Sequence, residues 1–311
     1  MKEHFINDAK IRGYVFSHTL QERESTSEKT KGQKYIFGNI NVATDEDLLN
    51  VVPISFFVNE KTTKGTTNAT FTNLRQIIEE YQESNPKAMR VRVDGSVDVN
   101  DFYNREGELV SAKRVRGSFL HFLNANEEIG DNPAYFEAEA LFQGCAEKEG
   151  NQGDPYLELK GFVFNYRGDV LPVTFTSSSE AGMAFFENCD ITTSEPYFGK
   201  VWGKIVSTVV EVEKEADDSA VGFGTQVVQP TTRTFRTWEI IGANVPAELD
   251  ESTVTLAEVA AKLQEREGRL AELKSRTDER NASTQGQAGF PAAAATPKKQ
   301  AAVAQDSDYT F

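Results

Sequence analysis

The chain is 311 residues long, 39% hydrophobic and 26% charged, with a net charge of −15, which suits a globular protein of about two domains, each large enough for its own core. No apolar run approaches the roughly 20 residues of a membrane span, and the charged start at 1–10 is unlike a signal peptide, so a cytoplasmic location is expected. Cys145 and Cys189 have no Cys or His neighbours at ligand spacing, and His4, His18 and His121 form no triad or metal pattern; no metal, disulfide framework or cofactor is expected. Residues 1–126 hold 17 basic and 17 acidic side chains, whereas 127–246 hold 8 against 20, a net of −12. Surface charge is screened beyond about 8 Å at physiological salt, so a site for anions is expected in the first part of the chain.

Residues 9–20 alternate, with Ile11, Gly13 and Val15 on the core parity and Arg12, Tyr14, Phe16 and His18 on the other. Residues 21–32 are polar and read as a long loop. A second strand, 34–42, sends Ile36, Ile40 and Val42 inward and Tyr35 and Phe37 outward, next to Lys34; a third, 51–58, buries Val52, Ile54, Phe56 and Val58 and exposes Ser55 and Phe57. Phe71, Leu74, Ile77, Ile78 and Tyr81 recur at helical spacing. A hairpin follows. Its first arm alternates Val91, Val93, Val97 and Val99 with Arg90, Arg92 and Asp94, then reaches Phe102 and Tyr103; after a turn at 104–107 the second carries Lys113, Arg114 and Arg116, with Phe119 and Phe122 beyond. Three strands, a helix and two strands is the order of an OB-fold barrel. Outward aromatic rings among cations suit single-stranded nucleic acid, because bases stack on the rings while Lys and Arg follow the phosphates.

After residues 126–133 the same order begins again. The best match sets Val51-Val52-Pro53-Ile54-Ser55-Phe56 against Val170-Leu171-Pro172-Val173-Thr174-Phe175, and Gly203 stands where Gly95 stands. The reading is two barrels in tandem. The second copy places Glu137 and Glu139 outward, which repels phosphates, yet offers Lys160, Phe162, Phe164, Trp202, Arg236 and Trp238 as a second single-strand site; packing in the core or between the barrels is the competing role for these rings. Thr255 and Glu258 form a capping box, and Leu256, Val259, Leu263, Leu270 and Leu273 continue at helical spacing to about Ser275. Residues 281–305 are rich in Ala, Gln, Gly, Pro and Ser and are expected to be disordered. The expected fold is therefore mainly β. It comprises an OB-fold barrel over 1–126, an acidic one over 127–246, an amphipathic helix over 247–280 and a disordered tail over 281–311.

The tail closes on Asp306-Ser307-Asp308-Tyr309-Thr310-Phe311. Lying behind a low-complexity segment on barrels of this order, it resembles the bacterial and phage single-stranded DNA-binding protein family, whose acidic tip ends in Pro-Phe and docks replication and repair proteins. Thr310 stands where that family has proline, and the tandem barrels suggest a phage or mobile-element version, which would act in the bacterial host cytoplasm. The resemblance implies a non-enzymatic protein that coats single-stranded DNA in replication, recombination or repair and recruits partners through Asp306, Asp308, Tyr309 and Phe311. The DNA-binding set would be Arg12, Tyr14, Phe16, Lys34, Tyr35, Phe37, Phe57, Arg90, Arg92, Phe102, Tyr103, Lys113, Arg114 and Arg116. RNA stays open beside DNA, since recognition of a 2′-hydroxyl leaves no sequence mark, and oligomeric state is open too. The alternative is an acidic two-barrel structural or interaction protein, a virion component or binder of host proteins, without nucleic-acid affinity. No Walker, Rossmann or nucleophile-elbow motif occurs, so no enzyme is expected.

Overall fold

In this computed structural model, which describes residues 4–28, 30–104, 106–124, 126–150, 153–212, 231–250 and 253–285, the two sequence repeats form two closed barrels. The first contains β1 (Asn7–His18), β2 (Gln21–Glu24), β3 (Lys34–Ala43), β4 (Val51–Asn59), α1 (Ala69–Glu80), β5 (Arg90–Tyr103) and β6 (Leu109–Phe122). β1 runs antiparallel to both β3 and β5, β3 to β4 and β5 to β6, while β4 and β6 meet in parallel. That closed order, β1-β3-β4-β6-β5, is the OB-fold. The alternation read from sequence is the one that folds: Ile11, Val15, Ile36, Ile40, Val42, Val52, Ile54, Val91, Val93 and Val97 are almost wholly buried. The 21–32 segment departs from the expected loop, because Gln21–Glu24 forms an edge strand against β3. Asn68 caps α1 by accepting from the Thr70 amide, and the helix buries Phe71, Leu74 and Ile77.

The second barrel comprises β7 (Ala134–Glu149), β8 (Pro155–Phe164), β9 (Val170–Ser177), α2 (Glu180–Glu187), β10 (Tyr197–Val212) and β11 (Thr231–Ala243), paired in the same order. Gly95 and Gly203 occupy matching bulged positions. A Cβ at either would meet backbone, 2.2 Å from the Arg116 oxygen in one barrel and 1.8 Å from the Glu239 oxygen in the other. Only glycine fits so close an approach.

The barrels share one sheet through antiparallel pairing of β1 with β7, from Asn7↔Ala138 to Ile11↔Ala134. Ala9 pairs with Gly95 and Phe136 with Gly203, so Ala9 and Phe136 are equivalent positions, and they pair with each other. A local twofold axis passes through that pair. Outside the second barrel, Phe5, Leu141, Phe164, Val170 and Phe198 form a cluster with Val254 and Val259, the latter on α3 (Leu256–Gln285). Thr255 caps α3 through the expected box: its hydroxyl accepts from the Glu258 amide at 3.3 Å, and its own amide donates to the Glu258 carboxylate at 3.0 Å. The helix runs to Gln285, past the expected boundary at 280. Arg266 ion-pairs with Asp101 at 2.5 Å and also donates to Ser111, the Tyr103 hydroxyl donates to the Leu270 carbonyl at 3.4 Å, and Arg269 pairs with Asp169 of the second barrel at 2.9 Å. α3 thus fastens the end of the β5–β6 hairpin to the second barrel. No helix among the described residues is long and apolar enough to cross a membrane.

Gly95→Ala and Gly203→Ala should each destabilise the chain by roughly 1–3 kcal/mol through forced backbone shifts, measured as a lower urea midpoint. The two costs should be similar, because the two sites are equivalent.

Candidate nucleic-acid interface

On the outer face of β3 and β4, Tyr35 lies 5.9 Å from Phe37 and 5.2 Å from Phe57, ring centre to ring centre. Phe37 and Phe57 are register partners across the two strands, and residues directly opposite share a face. Phe57 keeps 60% of its surface in water. Such exposure of a large ring has a hydrophobic cost that a stacked base would remove. β2 extends the face: Arg23 pairs with Tyr35, and its guanidinium sits 4.9 Å from the Phe37 ring centre. The sequence did not single out Arg23, because its segment read as a loop. On the other side Arg116, exposed, pairs with Ser55, two residues from Phe57 on the same face of β4.

From Arg116 the surface continues onto β5 and β1, where Arg12, Arg92 and His121 stand in one row across three strands. Arg12 is opposite Arg92, and like charges in that relation are destabilising. Asp94 tempers Arg92 at 3.3 Å. The neighbouring row sets Phe119, 60% exposed, beside Asp94 and Lys10.

A family model described as YorF matches residues 6–276. The chain belongs to the YorF family. No curated protein matches it. Among solved structures it is similar to the wild-type single-stranded DNA binding protein from Thermus aquaticus, at 12% identity and a TM-score of 0.48, over 79% of this chain and 96% of that one. It is also similar to a deletion mutant of the same protein, at 13% identity and a TM-score of 0.47, over 79% and 97%. In this YorF-family chain the strand pairings themselves define the barrels.

The twofold relation shows what the second barrel has in place of each surface group. Register makes Tyr156, Glu158 and Thr176 the counterparts of Tyr35, Phe37 and Phe57. It likewise makes Glu137, Glu139 and Glu239 the counterparts of Lys10, Arg12 and Arg116. The Arg12–Arg92 opposition becomes Glu139 opposite Lys200, a pair of complementary charge. Among the described residues, the three-ring cluster and the cations at the Lys10, Arg12 and Arg116 positions belong to the first barrel, while Lys200 keeps the positive charge of Arg92.

The remaining residues singled out from sequence are distributed otherwise. Tyr14, expected outward and open, is 7% exposed: its hydroxyl donates to Glu46 at 2.6 Å, and Lys87 lies over its ring. It points outward, but connecting loops cover it. Phe16 is exposed on β1. Lys34 pairs with Glu22 at 3.1 Å, and Arg90 donates to the carbonyls of Asn124 and Glu127. Arg114 donates to Asp98 at 2.9 and 2.7 Å and to Asn100 at 3.0 Å, and Lys113 donates to the Thr174 carbonyl at 3.0 Å. Phe102 is at the exposed hairpin end, and Tyr103 beside it is held by α3 with Lys274 over its ring. In the second barrel, Phe164 is buried against Phe5 at 4.2 Å and Trp238 lies in the core with Phe136 and Phe175. Neither ring is on a surface. Trp202 and Arg236 are half-buried, while Lys160 is exposed beside Phe162. Asp306, Asp308, Tyr309 and Phe311 lie outside the described residues.

His18 also proves structural. Its Nδ1 accepts from the Leu20 amide at 3.2 Å and its ring packs edge-on against Tyr81, and burial lowers its pKa from 6.5. A histidine with a lowered folded pKa stabilises fully above the unfolded value and loses that contribution as pH falls through it. The unfolding midpoint should therefore fall as pH drops below about 6.5, and His18→Gln should flatten that slope.

Proposed function

We propose that this protein is a non-enzymatic binder of single-stranded DNA that holds the strand on the outer face of its first barrel. Bases stack on Tyr35, Phe37 and Phe57, and phosphates are met by Arg23, Arg116, Arg12 and Arg92, with Lys10 and Phe119 at the margin. The observation that carries this reading is the contrast across the twofold axis: equivalent positions in the second barrel hold no such ring cluster and three glutamates in place of three cations. Both barrels have the same architecture, so folding does not demand the rings or the Arg12–Arg92 opposition. An anion crossing that row would relieve its repulsion. We further assign Asp306–Phe311 to docking a protein partner in replication, recombination or repair, since a carboxylate-flanked aromatic segment suits an apolar pocket with a basic rim.

The test is fluorescence anisotropy with a labelled oligothymidine of about 30 nucleotides, longer than the span of one OB-fold, titrated at several salt concentrations with duplex as competitor. Tight binding that weakens with salt and resists duplex is expected. Tyr35→Ala with Phe37→Ala should weaken it by at least about 30-fold, from roughly 1 kcal/mol or more per stacked base, and Arg116→Glu should shallow the salt slope. Tyr156→Ala should change nothing. Absence of binding at low salt would overturn the reading and turn attention to the acidic second barrel as a protein-binding surface.

A further inference from the structure

The β5–β6 hairpin extends past its own barrel and lies against β9 of the second, where Lys113 donates to the Thr174 carbonyl. Between them is a cleft of about 300 Å³ whose lining includes Lys113, Gln143, Lys160, Phe162, Pro172 and Thr174. Phe162 and Pro172 are register partners and form one apolar wall. Lys160 is exposed at the rim with Glu158 3.3 Å away. The cleft is at the small end of ligand sites, too small for a folded partner or a run of bases. It occupies the β8–β9 face of the second barrel, the counterpart of the face that carries Tyr35, Phe37 and Phe57, and Lys113 is only three residues along β6 from Arg116.

We infer that this cleft takes one unstacked nucleotide of the strand held on the first barrel, with the base against Phe162 and Pro172 and its phosphate at Lys160. The inference rests on the single-strand reading above. It makes the inter-barrel junction a second contact point, so affinity rises once an oligonucleotide is long enough to reach from the ring cluster, over Arg116, to the cleft. Gln143 gives the site an amide that can both donate to and accept from a base edge.

The full chain is titrated with oligothymidines of about 8 and about 30 nucleotides, lengths that fall within and beyond the span of one OB-fold. Phe162→Ala and Lys160→Glu should leave affinity for the short oligonucleotide unchanged and weaken that for the long one about tenfold. Near-ultraviolet crosslinking of bromodeoxyuridine-substituted strand to the unaltered chain should yield an adduct on the peptide that contains Phe162. Unchanged affinity at both lengths, without that adduct, overturns the cleft as a binding site and leaves the first-barrel reading intact. Equal loss at both lengths also overturns it, by assigning the effect to folding. An unaltered chain that binds neither oligonucleotide overturns both readings.

Discussion

The pairing of β1 with β7 is the constraint on which the rest of this molecule depends. Strand pairing consumes backbone donors and acceptors that would otherwise be left on two sheet edges, and its register, centred on Ala9 and Phe136, fixes how the barrels face. Strand β1 is at the same time a wall of the first barrel and a neighbour of the second. A shift of one residue would turn Ile11 toward water, so the core of the first barrel and the junction between barrels hold each other in place.

Around that seam the two halves use their outer surfaces differently. Leu141 in the second barrel is the counterpart of Tyr14 in the first, and both point away from their barrels, yet both are buried. Loops holding Glu46 and Lys87 cover Tyr14, whereas Phe5 and α3 cover Leu141. α3 then reaches back to the first barrel through Arg266 and Leu270. The helix joins the end of the hairpin to the second barrel and thereby shapes the cleft between them.

Much of the fold was legible because a strand that is half-buried alternates, and Val91, Val93, Val97 and Val99 or Val52, Ile54, Phe56 and Val58 leave little choice of face. The repeat was legible from a shared proline and a shared bulge glycine. Parity, however, says which way a side chain points and not what lies over it; Tyr14 and Phe164 were placed on the outer side and are covered by segments distant in sequence. The charge state of the hairpin was equally hidden. Arg114 meets Asp98 because the two arms put them opposite each other, and Lys113 meets a carbonyl of the other barrel. Arg23 was missed because an edge strand of four polar residues has no apolar alternation to betray it. The ring cluster survived translation into three dimensions because Phe37 and Phe57 are set by short-range register alone.

Covalent fusion of the barrels also changes what sequence drift can do. In a symmetric homodimer built on the same edge, every substitution appears on both sides of the axis, so a glutamate gained at one arginine position is gained at both. Here Arg12 and Glu139 occupy equivalent places and have diverged in sign. The seam is also intramolecular, so it forms at any protein concentration and does not come apart on dilution. A tandem chain can therefore change the chemistry of one face without changing the other, while the stoichiometry of the two remains one to one.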